Sequence, residues 1–150
     1  METQTIVDQK KLSVWKTFLR AHATLLRTLE NELQAQQGLS LTWYEVLLHL
    51  NKDPRGGLRM QELAEAVILS RSGLTRLLDR MENAGLVQRR PCAHDRRGAY
   101  ALITPEGKTL FELIRPVVLQ SIETHFAQHL DEAACDTLLG VFNKILQAEA

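Results

Sequence analysis

Between residues 8 and 36 apolar side chains recur in alternating steps of three and four, at Leu12, Trp15, Leu19, Leu26, Leu29 and Leu33, with His22 at the missing step. That spacing is one stripe of a long helix. A second row, Val14, Phe18, Ala21 and Leu25, widens the apolar face and predicts a helix covered on more than one side. Gly38 stops this helix, and Thr42 with Glu45 three residues later has the spacing of a capping box that opens a short helix carrying Val46, Leu47 and Leu50. Asn51 to Gly57 reads as a loop, Leu58-Arg59-Met60 as a short edge strand, and Gln61 to Val67 as a helix buried through Leu63, Ala64 and Val67. Ser70 is placed to cap the next helix. In Arg71 to Ala84, Leu74, Leu77, Leu78 and Met81 share one face while Ser72, Thr75, Arg76 and Asp79 share the opposite one, and Gly85 stands where a helix stops.

Leu86 to Arg90, a polar stretch from Pro91 to Arg97, and Gly98 to Ile103 read as strand, loop and strand, a hairpin with a basic tip. Thr104-Pro105-Glu106 is a helix start with Thr as N-cap and Pro at the first helical position. Leu110, Leu113, Ile114, Val117, Val118, Ile122 and Phe126 carry that helix to about Leu130, with Pro116 expected to bend it. Asp131 opens a last helix whose predicted buried stripe is Cys135, Leu138, Leu139, Phe142, Ile145 and Leu146. Helix, helix, edge strand, helix, turn, helix and hairpin form a winged helix-turn-helix. The expected fold is mainly α with a small β wing, one domain over 1–150: a winged helix-turn-helix region at 42–104, flanked by N- and C-terminal dimerisation helices at 8–36 and 105–148. The wide apolar faces of these arms exceed what one small winged domain covers, which predicts that they wrap a second copy in a homodimer.

Composition narrows the class. The 150 residues, 45% apolar and 24% charged, suit one globular domain with a real core. The longest unbroken apolar run, Ala99 to Ile103, is far below the ~20 residues of a membrane-spanning helix, so no membrane partner is expected. The first residues include an acid and lack an apolar core of the secretory kind, and Cys92 and Cys135 lie too far apart in sequence to suggest a disulfide framework. A cytoplasmic protein is expected. Its 18 basic and 18 acidic side chains cancel, yet they are segregated. From Arg55 to Arg97 stand nine arginines (Arg55, Arg59, Arg71, Arg76, Arg80, Arg89, Arg90, Arg96, Arg97) and five acids (Glu62, Glu65, Asp79, Glu82, Asp95), and every lysine lies outside. Charge alone leaves both a solvated face and a nucleic-acid surface open. Together with the motif it points to double-stranded DNA.

The segments Leu58-Arg59-Met60-Gln61-Glu62-Leu63-Ala64, Leu69 to Glu82, Gly85-Leu86-Val87, Asp95-Arg96-Arg97-Gly98 and Leu102 to Gly107 resemble the multiple-antibiotic-resistance regulator (MarR) family. The resemblance is specific over 58–107, whereas the arms match in length and helical pattern only. It implies a triangular homodimer on a pseudo-palindromic operator, repressing nearby genes and released by a small, frequently phenolic effector. Ser70, Arg71, Ser72, Thr75 and Arg76 then lie at the exposed start of the recognition helix, with Arg76 the candidate for base readout. In the wing, the resemblance places Arg96 in a minor groove, Asp95 beside the arginines, and Arg97 near the backbone. Arg80 points sideways, open to an internal acid or to phosphate.

No motif marks an effector pocket. Trp15, Arg20 and His22 on the first helix and Trp43 and Tyr44 on the second concentrate aromatic and cationic groups that suit an aromatic acid, with core packing the competing role of each. His125 and His129 have a zinc-compatible spacing on a predicted helix but no third ligand nearby, and no metal or other cofactor is expected. Cys92 sits among the wing arginines, a setting that favours oxidation, but it has no evident resolving partner, and the family's peroxide sensors carry their cysteine near the amino terminus. A metal- or redox-responsive regulator of the same fold, and a winged-helix interaction module without DNA binding, are the alternatives. The latter should lack Arg76 and Arg96, and both are present. No phosphate loop, nucleophile elbow or His-Glu-x-x-His helix occurs, so an enzyme is not expected.

Overall fold

A computed structural model describes residues 7–150 except 68, 70 and 94, and gives Arg71, Asp95, Arg96 and Arg97 by backbone alone. Its elements run α1 (Gln9–Gln37), α2 (Leu41–Lys52), β1 (Gly57–Arg59), α3 (Met60–Ala66), α4 (Arg71–Asn83), β2 (Val87–Cys92), β3 (Asp95–Ile103), α5 (Pro105–His125), a 3-10 turn (Ala127–His129) and α6 (Glu132–Ala148). This is the mainly α fold with a small β wing that the hydrophobic pattern predicts. Two compact units divide the chain, one of Glu30–Leu119 and one of Met1–Leu29 with Gln120–Ala150.

The central unit holds the core. Leu33, Val46, Leu47, Leu50, Leu63, Leu74, Leu78, Met81, Val87 and Ile114 are almost wholly removed from water. The three strands are antiparallel in the order β1-β3-β2, so β1 is an edge strand as its length suggests. Val87 and Ile103, cross-strand partners, turn inward with Ala101, while Gln88 and Arg90 turn outward. Helix α2 begins two residues earlier than its capping-box spacing implies. The N-cap is Ser40, whose Oγ accepts from the Trp43 N–H at 3.4 Å, and the Glu30 carboxylate of α1 accepts from the Leu41 N–H at 2.6 Å. Thr42 and Glu45 therefore lie inside the helix.

The wing also differs from expectation. The stretch from Pro91 to Arg97, read as a loop, belongs mostly to strands: Cys92 pairs with Asp95, and the register shifts between Pro91 and Cys92. Pro91 pairs with Ala99, so Arg96, Arg97 and Gly98 are extra residues on β3 without opposite numbers on β2. A proline is tolerated beside such a bulge because the ladder is already interrupted there.

The second unit contains the first part of α1, the end of α5 and α6. Phe18 lies 5.8 Å from Phe142 by ring centroids and 6.2 Å from both Trp15 and His22. The predicted final stripe is not buried within the chain. Leu139, Ile145 and Leu146 are 59%, 53% and 68% exposed, and Trp15 is 56% exposed. Helix α5 passes through Pro116 but ends at His125, five residues short of the expected limit, and His129 falls in the 3-10 turn. The two histidines thus do not share one continuous helix. Asp131 caps α6 through its carboxylate, which accepts from the Ala134 N–H at 2.8 Å. Among the described residues no helix is long and apolar enough to cross a membrane.

Candidate nucleic-acid interface

Helix α4 is fixed at both its buried face and its end. Leu74, Leu77, Leu78 and Met81 are at most 4% exposed. At the C-terminus the Gly85 N–H donates to the Glu82 carbonyl and the Leu86 N–H to the Met81 carbonyl, the paired bonds of a Schellman stop. Gly85 adopts φ 77°, a left-handed conformation that glycine takes without a Cβ clash. Beyond this stop Leu86 and Val87 are buried, and β2 begins. The sequence therefore delivers a rigid helix whose other face is presented to water.

On that face Ser72, Thr75, Arg76, Asp79 and Arg80 are exposed. Gly73, Arg76, Asp79 and Arg80 line a shallow groove of about 600 Å³. Ser72 and Thr75 each engage in interactions within the fold. Arg71 is the first residue of α4, while Ser70 lies outside the described residues. Asp95, Arg96 and Arg97 are in β3, and their side chains lie outside the described residues. The α4 candidates are thus grouped on one helix and the wing candidates on one strand of the hairpin.

Arg89 has a different setting from the other arginines. Its cross-strand partner is buried Ala101, so β2 carries it on the inward side. Its Nη2 donates to Asp79 Oδ1 at 2.5 Å and to Glu82 Oε2 at 2.7 Å, its Nε donates to Glu82 Oε2 at 3.0 Å, and its backbone N–H donates to Glu82 Oε1 at 3.1 Å. Hydrogen bonds from Arg89 hold the Glu82 carboxyl below the usual carboxylate range, and those to Glu82 raise the Arg89 guanidinium. Counting it among the basic surface residues missed this role. The signal was present: Arg89 has the inward parity of Val87 on β2, and Asp79 and Glu82 are three residues apart on α4.

A second arginine is held on the outer face of the sheet. Arg59 pairs across the strands with Tyr100, which pairs in turn with Arg90. The Arg59 guanidinium carbon lies 5.6 Å from the Tyr100 ring centroid, and its Nε donates to the Tyr100 hydroxyl at 3.3 Å. Arg55 is bound by both carboxylate oxygens of Asp53 at 3.0 Å.

Of the candidate effector residues, Trp43 lines a groove of about 490 Å³ with Ser40, Thr42, Leu69, Gly73, Leu77 and Arg80, among others. Tyr44 is buried and stacks on Phe111 with centroids 5.6 Å apart, and burial pushes its hydroxyl above the usual phenol range. Trp15, Arg20 and His22 belong to the α1 segment of the other unit, all three exposed. Cys92 and Cys135 are free and half-buried. No group of three or more metal-ligating side chains occurs among the described residues.

Residues 37–98 match the MarR family model. In three dimensions the chain is similar to AbsC, a MarR family transcriptional regulator from Streptomyces coelicolor, with 31% identity, 97% of each chain covered and a TM-score of 0.88. It is also similar to Sco3205, a MarR family transcriptional regulator from the same organism solved in complex with DNA, with 26% identity over 99% of this chain and 92% of that one, and a TM-score of 0.89. The HTH-type transcriptional regulator FarR of Neisseria gonorrhoeae is 42% identical over 59 residues, 39% of this chain and 40% of FarR's own length. The chain belongs to the MarR family.

Proposed function

We propose that the protein is a sequence-specific transcriptional regulator, a repressor that binds a pseudo-palindromic operator as a homodimer and is released by a small aromatic effector. The observation that carries the reading is α4: a helix buried through four large side chains, with Arg76 and Arg80 together on its open face. A helix so held can enter a major groove without losing its own packing, and arginine reads guanine edges. The likeness to Sco3205, solved with DNA, supports the same reading. In it Ser70, Arg71, Ser72 and Thr75 reach phosphates and base edges beside Arg76. Arg96 reads the minor groove, with Asp95 and Arg97 near the backbone.

Homodimerisation is supported by the exposed apolar side chains of the arms, Val14, Trp15, Leu139, Ile145 and Leu146 among them, which cost free energy in contact with water. An aromatic effector has weaker support, from the aromatic and cationic groups at Trp15, Arg20, His22, Trp43 and Tyr44. The deciding experiment is selection of bound duplexes from a random pool. An enriched inverted repeat is expected, with half-site centres about one helical turn apart, because a twofold dimer sets both recognition helices on one face of the DNA. No enrichment would favour the interaction-module reading, and a monomer in sedimentation at micromolar concentration would exclude the dimer.

A further inference from the structure

Arg76, Asp79 and Arg80 line one groove, so the face offered to DNA carries a carboxylate as well as two guanidinium groups. Asp79 is three residues from Arg76, the spacing at which two side chains on a helix meet, and a free carboxylate there would both repel phosphate and draw Arg76 onto itself. In the structure it does neither without competition: Arg89, reaching from β2, binds Asp79 at 2.5 Å and Glu82 at 2.7 Å. The Arg89 side chain is only 28% exposed, and it starts from the inward side of the strand. It is placed to act on α4 and is partly shielded from solvent.

We infer that Arg89 is a positioning residue of the DNA interface, a wing-borne cation that masks Asp79 and Glu82 and leaves Arg76 available to the bases. This inference rests on the DNA-binding reading above. It makes the first strand of the wing part of the recognition helix's electrostatics, quite apart from any contact the hairpin makes with DNA. Two carboxylates shared by one guanidinium carry one net negative charge. Without Arg89 they carry two, on the C-terminal half of the helix that the operator must approach.

The test is a charge cycle on the intact protein, with affinity for the selected operator measured over a range of salt. R89M should weaken binding roughly tenfold at low salt and less at high salt, since an unmasked charge near phosphate acts through a screened field. D79N, which keeps Arg89 on Glu82, should bind about threefold more tightly than wild type because one acid leaves the interface. The double variant R89M/D79N should recover most of the affinity and the salt slope lost in R89M. A clamp that served stability alone would give the opposite pattern, with no recovery in the double variant and a loss equal at all salt concentrations. That result overturns the inference. If R89M does not fold, D79N alone decides: weaker binding than wild type would show that Asp79 contributes a favourable contact and needs no mask. A wild-type protein that binds no duplex would overturn the regulator reading and this inference with it. Operator binding by wild type without rescue by D79N overturns this inference alone.

Discussion

The Thr104 hydroxyl donates a 2.6 Å hydrogen bond to the carbonyl of Gly85 and accepts one of 3.0 Å from the Gly107 N–H. One side chain therefore caps the start of α5 and holds the carbonyl just beyond the end of α4. The Thr104 N–H adds a bond to the Leu86 carbonyl at 3.1 Å. The residue that begins the C-terminal arm helix is thereby tied to the residue that ends the candidate recognition helix, a link within the central unit.

Replacing Thr104 by Val keeps the shape and removes both side-chain bonds, leaving a donor and an acceptor unpaired at a site only 9% exposed. T104V should lose roughly 1–3 kcal/mol of stability in urea unfolding, and T104S, which keeps the hydroxyl, less than about 1 kcal/mol. Equal losses for the two variants would show that the methyl packing matters and the bonds do not.

Gly107 lies against the same joint. A Cβ there would overlap the Leu86 carbonyl oxygen and crowd the Ile103 side chain. G107A should therefore destabilise by about 1–3 kcal/mol, although alanine is the better helix former, because overpacking against backbone outweighs the propensity gain. A rise in melting temperature would show that α5 can shift away from Leu86 without cost.

Much of this joint was legible in the sequence. The apolar row of α4, the glycine after it and the Thr-Pro-Glu start of α5 are local signals, and each element formed where its signal lay. The start of α2 is set by Ser40, a local cap that the Thr42–Glu45 spacing overshadows, and by the Glu30 carboxylate of α1, which accepts from the Leu41 N–H and which no local rule shows. The polar stretch from Pro91 to Arg97 reads as a loop, yet most of it is strand, and Pro91 stands at a register shift where a missing donor matters little. The stripe of α6 correctly indicated an apolar face but not what covers it, and within one chain Leu139, Ile145 and Leu146 remain exposed. For the candidate site, helical parity separated the two faces of α4, whereas the role of Arg89 depended on a strand-to-helix contact.

Acid should weaken the Arg89 junction in a defined direction. Hydrogen bonds from Arg89 lower the Glu82 pKa in the folded protein, so the folded state binds that proton less readily than the unfolded chain does. Its contribution is full above the ordinary glutamate value of about 4.5 and is lost as pH falls through the lowered folded value. Asp53, lowered by Arg55, adds a slope of the same sign. E82Q should therefore flatten the fall in urea midpoint between about pH 5 and 3 without abolishing it. A steeper fall in E82Q would contradict the assignment.

If Arg76 reads a base edge, R76A should cost roughly 1–3 kcal/mol on the operator and relax preference at one position per half-site. R97A, assigned to the backbone, should instead weaken all sequences alike. Equal, sequence-independent losses for both would reduce Arg76 to a phosphate contact.

The extra residues of β3 provide the last test. Arg96 stands where the strand departs from the register of β2, and bulges of this kind re-aim side chains at the rim of a sheet. If Arg96 enters a narrow minor groove, part of its binding energy comes from the negative potential there, which depends on A·T content through groove width. R96A should then weaken operators flanked by A·T runs more than operators flanked by G·C, and should lower the salt slope by about one unit per subunit through loss of a cationic contact. R96K should recover only part of the loss, because ammonium holds its water more tightly than guanidinium and enters the groove at greater cost. Affinities on two operators that differ only in their flanks decide the matter. An equal loss on both would make Arg96 a plain phosphate contact and would place any flank preference elsewhere in the wing.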